Sequence, residues 1–452
     1  MIDRRTFLTG SLAAGALAGF TACAPGSGQA PAPAGPAPDA VVTDPAAAGT
    51  VTIRVWDQEV RGGSKAALDE LNSRFMAKYP NVTIERKSES FDDLKKTVAL
   101  ALSGNDVPDV VQVNNARADM GEFVKAGQLT DLTPYAAAYG WAERYPADVL
   151  AKSSYSADAV TFGSGNLYGL PQTGEVVGIF YSAKRLAELG IAVPQTWDEY
   201  LAALDAASAK GTQPMILGNI EKWPALHVFG PLQGAYVPAD QIIALGMGNA
   251  GADWNSPENA QAMQAFADWS TKKYFGDSPN GLDYDAAWTD FTKGKGAFLP
   301  GGSWLAADMI KVLGDDLHFM VPPPREAGGA PVSTGGTGLP FTVPARAAQR
   351  DVAAAYIDFI TSDEAMSLIA ENDGLPVRNA AQLAPASGAS AEIFRAFDEV
   401  STKGSLLPYL DYATPTFADT AGNNLQELIA GREDPQQVLA AFSDDYGAFV
   451  GG

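Results

Sequence analysis

After residue 50, segments with strand character alternate with segments of helical character, and this alternation constrains the fold more than any other feature. Residues 51–56, 81–85 and 108–113 are rich in β-branched side chains, while residues 65–79 and 91–102 carry apolar side chains at helical spacing. Strands that alternate with helices predict a parallel sheet covered by helices on both faces. Ligands bind beyond the carboxyl ends of the strands in such sheets. We therefore expect an α/β fold whose binding residues follow the strands.

The length of the chain predicts more than one lobe. Of its 452 residues, about 400 follow residue 50, and a single hydrophobic core rarely serves more than about 250–300 residues. No apolar run after residue 48 approaches the roughly 20 residues that a membrane-spanning helix requires. We therefore expect two lobes and no membrane span in this part of the chain.

The amino-terminal residues predict export. Arg4 and Arg5 precede an apolar stretch that ends at Ala22 and is too short to span a bilayer, as in a secretory signal. The arginine pair, followed by Phe7 and Leu8, resembles a twin-arginine signal. We expect residues 1–22 to be a twin-arginine-like signal peptide.

The residues that follow predict a lipid anchor. Small residues precede Cys23, which is the one cysteine of the chain, as in bacterial lipoproteins, although Phe20 stands where leucine is usual. We expect Cys23 to be lipidated on the outer face of the cell membrane, and residues 23–50, rich in Pro, Ala and Gly, to form a disordered tether. The alternative for Cys23 is a buried structural role.

The charge of the chain excludes several classes of partner. The formal net charge is −22, and removal of Asp3, Arg4 and Arg5 with the signal peptide makes it −23. Such an acidic protein disfavours nucleic acid and anionic lipid head groups. Only His227 and His318 are present, so a transition-metal site or a histidine-based catalytic relay is poorly supplied. We expect no metal, no cofactor, no nucleic acid and no catalytic residue.

A series of short motifs resembles one protein family along nearly all of residues 51–450. The motifs are FMAKYPNV at 75–82, SGNDVPDV at 103–110, LYGLP at 167–171, FYSAK at 180–184, PQTWDE at 194–199, GAFLPGGSW at 296–304 and GLPVR at 374–378. In this order they resemble family 1 extracellular solute-binding proteins, the maltose-binding-protein-like receptors of ATP-binding-cassette importers. Two departures are Ser182, where the family commonly has asparagine, and a longer tryptophan-rich segment at 219–254.

The resemblance implies a type II periplasmic-binding-protein-like fold with two lobes, each a mainly parallel sheet flanked by helices, and a ligand cleft between them. It implies hinge crossings near 173–178, 319–323 and 374–378. The first lobe would then comprise residues 51–172 and 324–373, and the second lobe residues 175–320 and 379–452. The implied function is that of a monomeric extracellular receptor, which captures a sugar by hinge closure and delivers it to permease subunits in the membrane.

A sugar presents flat C–H faces and a belt of hydroxyls, so its site requires aromatic rings and planar polar side chains. Polar residues that follow predicted strands, or lie at a crossing, are candidates, as are aromatic residues where the family supplies aromatic faces. Each also has a structural alternative as a turn, cap, hinge or core residue. The candidate ligand-binding residues are Asp57, Gln58, Glu59, Asn114, Asn115, Gln172, Glu175, Trp223, Trp304, Gly336, Arg378 and Tyr412, with Tyr409 and Phe417 as alternatives to Tyr412.

Three other functions remain open. The same fold can bind a non-sugar solute such as a polyamine, a glycerophosphodiester or another polar metabolite, although the mixture of Trp, Asn, Gln and few carboxylates favours a neutral polyhydroxylated ligand. A glycoside hydrolase requires two carboxylates placed across the scissile bond, and the resemblance places no such pair. A receptor that serves a sensor kinase is the third possibility.

Overall fold

The computed structural model describes residues 41–451. Its strands are β1 Val51–Asp57, β2 Val82–Ser88, β3 Val110–Gln112, β4 Ser154–Tyr155, β5 Asn166–Leu167, β6 Gly174–Ser182, β7 Phe298–Gly302, β8 Leu317–Met320, β9 Val332–Thr337, β10 Phe341–Thr342 and β11 Ser405–Leu407. Its α-helices up to β7 are α1 Gly62–Lys78, α2 Phe91–Ser103, α3 Glu122–Lys125, α4 Thr133–Tyr139, α5 Trp141–Arg144, α6 Ala147–Ala151, α7 Ala183–Glu188, α8 Trp197–Ala209, α9 Trp223–Gln233, α10 Ala239–Gly246, α11 Pro257–Thr271 and α12 Tyr284–Thr292. The later helices are α13 Ala306–Leu313, α14 Arg350–Ile360, α15 Asp363–Glu371, α16 Ala380–Leu383, α17 Gly388–Thr402, α18 Phe417–Ile429 and α19 Pro435–Val450.

The first sheet is parallel except at one edge. Its strand order is β10-β3-β1-β2, in which β1 pairs in parallel with both neighbours and β10 pairs antiparallel to β3. Inward residues of β1, such as Ile53 and Val55, are fully buried among side chains of α1 and α14. The predicted order of strands and helices in this part of the chain is therefore confirmed.

The second sheet corrects one part of the predicted fold class. The α/β fold is confirmed, but β6 pairs antiparallel with β7, β8 and β9, and only β11 and β9 are parallel. The expectation of a mainly parallel sheet in the second lobe is therefore wrong. The physical reason is that β6 is buried on both faces, and a continuous apolar run gives no information about the direction of the neighbouring strands.

Three chain segments cross side by side between the two sheets. Thr173 forms an isolated bridge with Pro376, the Gly174 amide donates to the Leu375 carbonyl over 2.9 Å, and the Gly338 amide donates to the Thr173 carbonyl over 2.9 Å. The middle crossing lies later in the chain than predicted, because β9 belongs to the second sheet and β10 to the first. Assignment of the stretch that contains β9 to the first lobe is therefore corrected.

Residues 41–50, which were predicted to belong to the disordered tether, form part of the fold. Pro45 is buried in the 3-10 turn Pro45–Ala48, and the Asn81 side chain donates to the carbonyls of Pro45 and Gly49 over 2.9 and 2.7 Å. The tether prediction is wrong for this stretch, because one asparagine and an apolar patch of the first lobe hold it. Residues 1–40, which include the predicted signal peptide and Cys23, lie outside the described residues. Within residues 41–451, no helix has both the length and the apolar character needed to cross a membrane.

Candidate ligand-binding site

A cavity of about 580 Å³ lies between the two sheets, next to the three crossings. The first lobe contributes the turn after β1 and the start of α2, and the second lobe contributes the first residues of α9 and α12 and the turn after β7. Gly174 and Glu175 at the start of β6 form part of its wall beside the crossings. The cavity thus lies where the predicted strand ends and crossings meet.

The second lobe supplies an aromatic wall. The Trp223 ring centroid lies 4.4 Å from that of Tyr284 and 4.9 Å from that of His227. The His227 ring lies 5.6 Å from Trp304 and 5.0 Å from Tyr409. The five rings form one connected cluster and together present a large apolar area. Aromatic side chains of this kind lose little conformational entropy when a ligand binds.

Trp304 owes its position to two neighbours. It follows Gly302 at the end of β7, and a Cβ atom on Gly302 would lie 2.0 Å from the Trp304 ring. The Trp304 indole N–H donates to the Tyr284 hydroxyl over 2.9 Å. A glycine and a tyrosine therefore hold this ring at the cavity.

Glu175, Glu59 and Asp411 form the acidic side of the cavity. Glu175 accepts a hydrogen bond of 2.9 Å from the Tyr409 hydroxyl, yet burial together with the charges of Glu59 and Asp411 raises its pKa to about 8. Burial also raises the pKa of Asp411 to about 6. Burial raises the pKa of Glu59, although the Gln112 amide donates to it over 2.9 Å. Burial is the largest cause of each of these three shifts.

The cations at the cavity are engaged by other carboxylates. Arg61 of the first lobe forms an ion pair of 2.7 Å with Asp285 of the second lobe, and Lys95 lies 3.0 Å from Asp119. Burial lowers the pKa of both cations, but these partners outweigh it and the net shift is upward. The Arg61–Asp285 pair bridges the mouth of the cleft.

His227 is neutral in this site. Burial lowers its pKa to about 3, so the imidazole carries no charge near neutral pH. Its Nδ1 atom is buried and has no hydrogen-bond partner among residues 41–451. The ring therefore acts as part of the aromatic wall with one unused polar atom.

Seven of the twelve predicted residues line the cavity: Gln58, Glu59, Asn114, Glu175, Trp223, Trp304 and Tyr412. Tyr409, the alternative to Tyr412, lines it as well, whereas Phe417 is a core residue. Their role as ligand contacts stays a prediction.

The other five predicted residues lie outside the cavity and are corrected. The Asp57 carboxylate accepts two hydrogen bonds of 2.7 Å from Arg86. The Asn115 amide donates to the Lys152 carbonyl over 2.7 Å, and the Gln172 amide donates to the Ile360 carbonyl over 2.6 Å. The remaining two have backbone or hinge contacts: Gly336 pairs with Glu175 in the sheet, and Arg378 donates to the Thr361 carbonyl over 2.9 Å and pairs with Asp363.

Sequence reasoning missed several lining residues, among them Arg61, Asp92, Glu221, Tyr284, Asp285 and Asp411. Tyr284 and Asp285 begin α12, where Asp283 caps the helix by accepting from the Ala286 amide over 2.7 Å. Asp283 in the sequence predicts where α12 begins. The sequence around it does not predict that this end of the helix faces the cleft. Within residues 41–451, no group of three or more His, Cys, Asp or Glu side chains has an arrangement that could hold a metal ion.

Two α/β lobes joined by adjacent crossings around a central cavity define a protein of the periplasmic-binding class. Residues 61–367 match the model of the bacterial extracellular solute-binding protein family, and the chain belongs to that family.

Individual relatives agree with this assignment. The chain is similar to a multiple sugar-binding protein of Streptococcus mutans, at 25% identity over 337 residues that cover 72% of this chain and 75% of the relative. It is also similar to an uncharacterized lipoprotein of Streptomyces antibioticus, at 24% identity over 351 residues that cover 72% and 70%. The solved structure of a chitin oligosaccharide binding protein superposes with a TM-score of 0.73 at 22% identity, covering 88% of this chain and 99% of that one. The last similarity shows that the two proteins share a fold.

Proposed function

We propose that this protein is the receptor of an ATP-driven importer, which captures a mono- or oligosaccharide between its lobes and delivers it to permease subunits in the membrane. The observation that carries this proposal is the cavity of about 580 Å³ with an aromatic wall on one side and polar groups on the other. Membership of the solute-binding family and the sugar-binding name of the Streptococcus mutans relative support it.

The chemistry of the cavity suits a sugar. Aromatic rings of Trp223, Tyr284 and Trp304 offer flat faces for C–H surfaces, whereas Gln58 and Asn114 offer amides for hydroxyls. Each hydroxyl left without a partner in a closed cleft costs about 1–3 kcal/mol, so polar groups at fixed positions give selectivity. The seven predicted residues that line the cavity, together with Tyr409, are our proposed contacts.

Hinge closure explains capture. We propose that residues 51–172 and 341–373 form the first lobe and residues 175–337 and 379–451 the second. Rotation at the adjacent crossings would open and close the cleft. Contacts between lobes, such as the Arg61–Asp285 pair at 2.7 Å, would form on closure.

We propose that the ligand leaves the protein chemically unchanged. A glycosidase is the second candidate, because Glu175 has the raised pKa of about 8 that a general acid needs. The pKa values do not separate the two candidates, because Asp411, with a pKa of about 6, is ionised near neutral pH beside Glu175, but the chain belongs to a family of solute-binding proteins. This favours a receptor over an enzyme.

We further propose that the protein is exported, anchored to the outer face of the cell membrane through Cys23, and monomeric. The supporting observations are the sequence around Cys23, the family of extracellular proteins and the lipoprotein name of the Streptomyces antibioticus relative.

A ligand screen tests the proposal. Binding stabilises the folded state, so the purified protein is heated with each member of a panel of mono- and oligosaccharides, and hits are confirmed by calorimetry. We expect at least one sugar to raise the unfolding temperature, to bind in the presence of a chelator, and to be recovered intact. Absence of any sugar hit, or recovery of a cleaved glycoside, would contradict the proposal.

A further inference from the structure

The cavity is much more acidic than a site for a neutral sugar requires. Nine carboxyl side chains line it, against four cationic side chains. Neutral hydroxyls are satisfied by amides as well as by carboxylates, so a sugar site has no need of such an excess of negative charge.

Each of the four cations has another partner, although the charge of Lys95 also lowers the pKa of Asp411. Arg61 pairs with Asp285 at 2.7 Å and Lys95 with Asp119 at 3.0 Å. The amine of Lys96 lies 3.6 Å from Asp93, and the amine of Lys222 donates to Asn423 over 2.7 Å.

Two of the inner carboxyls accept hydrogen bonds from neutral donors. Glu175 accepts from the Tyr409 hydroxyl over 2.9 Å, and Glu59 accepts from the Gln112 amide over 2.9 Å. Glu175 lies within electrostatic range of both Glu59 and Asp411, since each of these charges raises its pKa. Three carboxyls, from the turn after β1, the start of β6 and the turn before α18, therefore line the same cavity.

One unsatisfied polar group points to a ligand in the cavity. Thr337 lines the cavity, is only 3% exposed, and its hydroxyl has no hydrogen-bond partner among residues 41–451. A buried polar group without a partner costs about 1–3 kcal/mol, and a ligand that supplies the partner removes that penalty.

We infer that the ligand is an amino sugar whose protonated amine lies among Glu175, Glu59 and Asp411, with its ring against the aromatic wall. This inference rests on the proposed sugar-receptor function and narrows its ligand class, away from the neutral sugar that the sequence favours. An ammonium group supplies the missing positive charge and donates to three carboxyls. Facing aromatic rings add a further attraction for a cation.

A polyamine fits the structure less well. A fully protonated polyamine has donors and no acceptors, so it cannot accept from the side-chain amide of Gln58, which lines the cavity. Sugar hydroxyls both donate and accept, so they can bond that amide and the Thr337 hydroxyl. An amino sugar therefore supplies both a positive charge for the carboxyls and acceptors for the donors of the cavity.

Matched pairs of ligands test the inference. The purified protein is titrated in a calorimeter with sugars that differ only at the 2-position of each ring: glucosamine and glucose, galactosamine and galactose, and chitobiose with free amines against its N-acetylated form and cellobiose. Spermidine is the polyamine probe. We expect the aminated member of the best-bound set to bind at least tenfold more tightly than its neutral partners, and added salt to reduce this ratio.

Two results would overturn the inference while leaving a sugar receptor intact: neutral members that bind as tightly as their aminated partners, or only neutral members that bind. Tighter binding of spermidine than of every sugar would overturn both the inference and the proposed function, as would the absence of any sugar binding.

A pair of charge-removing variants locates the amine. Glu175→Gln keeps the shape and an acceptor for Tyr409 but removes the charge, and we expect the ratio of aminated to neutral affinity to fall at least tenfold. Glu326→Gln removes the same charge from an exposed loop outside the cavity and serves as the control. Thermal unfolding of both variants confirms that they are folded. An unchanged ratio in Glu175→Gln would contradict the placement of the amine.

Discussion

The Tyr409 hydroxyl donates a hydrogen bond of 2.9 Å to the Glu175 carboxylate, and the two residues are 234 positions apart. This bond ties the segment before the 3-10 turn Leu410–Tyr412 to the start of β6, next to the crossings. It lies in the wall of the cavity, so the protonation state of Glu175 bears on both stability and binding.

Burial, together with Glu59 and Asp411, raises the pKa of Glu175 from 4.5 to about 8. Between these values the folded state holds a proton that the unfolded chain has released, so rising pH lowers the free energy of unfolding, by at most about 1.4 kcal/mol per pH unit. We expect Glu175→Gln to reduce this loss, as measured by denaturant unfolding across the window from pH 4.5 to 8. The control Glu326→Gln should keep the wild-type slope, and identical slopes in all three proteins would refute the pKa assignment.

Trp304→Ala should reduce sugar affinity by about 1–3 kcal/mol, because a ring at the cavity is lost. Its effect on the free energy of unfolding should stay below the 3–5 kcal/mol typical of a core tryptophan. Trp141→Ala is the matched control, since Trp141 is fully buried in the first lobe and should show the reverse pattern. Calorimetry and denaturant unfolding measure the two effects. A large loss of stability in Trp304→Ala with unchanged affinity would assign Trp304 to the core.

Gly302→Ala should displace the Trp304 ring without removing it. The added Cβ would lie 2.0 Å from the Trp304 ring, so the ring must move. We expect the displaced ring to weaken sugar binding, and the strain to lower the free energy of unfolding by about 1–3 kcal/mol, the usual range for overpacking. Gly447→Ala is the control, because its Cβ would meet no heavy atom within 4 Å and alanine is the better helix former in α19. Equal affinity of the two variants would show that Trp304 has room to move.

Arg117→Ala should weaken the closed form. Arg117 is 4% exposed, and its guanidinium donates to the Val160 carbonyl over 2.9 Å and to the Met247 carbonyl of the second lobe over 3.1 Å. Hydrogen bonds to charged groups contribute about 1.5–3 kcal/mol, so we expect weaker sugar binding and a larger radius of gyration by X-ray scattering. Arg74→Ala, which breaks only exposed ion pairs within the first lobe, should change neither quantity.

Cys23→Ser should release the protein from membranes, because the proposed anchor is a lipid on the Cys23 thiol. The measurement is the fraction of protein that sediments with membranes of the expressing bacterium. Detergent should solubilise the wild type and leave the variant unaffected. Equal partitioning of the two proteins would remove the support for an anchored receptor.

The first lobe was predictable because its signals are local. Alternating strands and helices over residues 51–113 fix the order of elements and predict the parallel pairing of β1 with β2 and β3, because a helical crossover returns the chain to the end of the sheet where the previous strand began. The second sheet was not predictable in the same way. In this sheet β6 pairs with strands that begin at Phe298, Leu317 and Val332, far along the chain. Apolar runs alone do not encode which strands pair.

The site was predictable where a residue type and a strand end coincided, as for Glu59 and Asn114. It was not predictable where two neighbouring polar residues have opposite roles. Asp57 faces Arg86 whereas Gln58 faces the cavity, and Asn115 bonds the Lys152 carbonyl whereas Asn114 lines the cavity. Successive side chains of an extended chain point in opposite directions. A prediction that is wrong by one residue therefore confuses a structural residue with one that faces the cavity.

The strand β10 has a consequence for biosynthesis. The Thr342 hydroxyl donates to the Val111 carbonyl over 2.8 Å, across 231 positions of the chain. A ribosome must therefore translate about three-quarters of the 452 codons before the edge of the first sheet can be covered. Until then the nascent chain exposes an unpaired strand edge, which is prone to aggregation. Because contacts of such long sequence separation also form slowly, this protein should depend on a chaperone that shields β3 while the rest of the chain is synthesised.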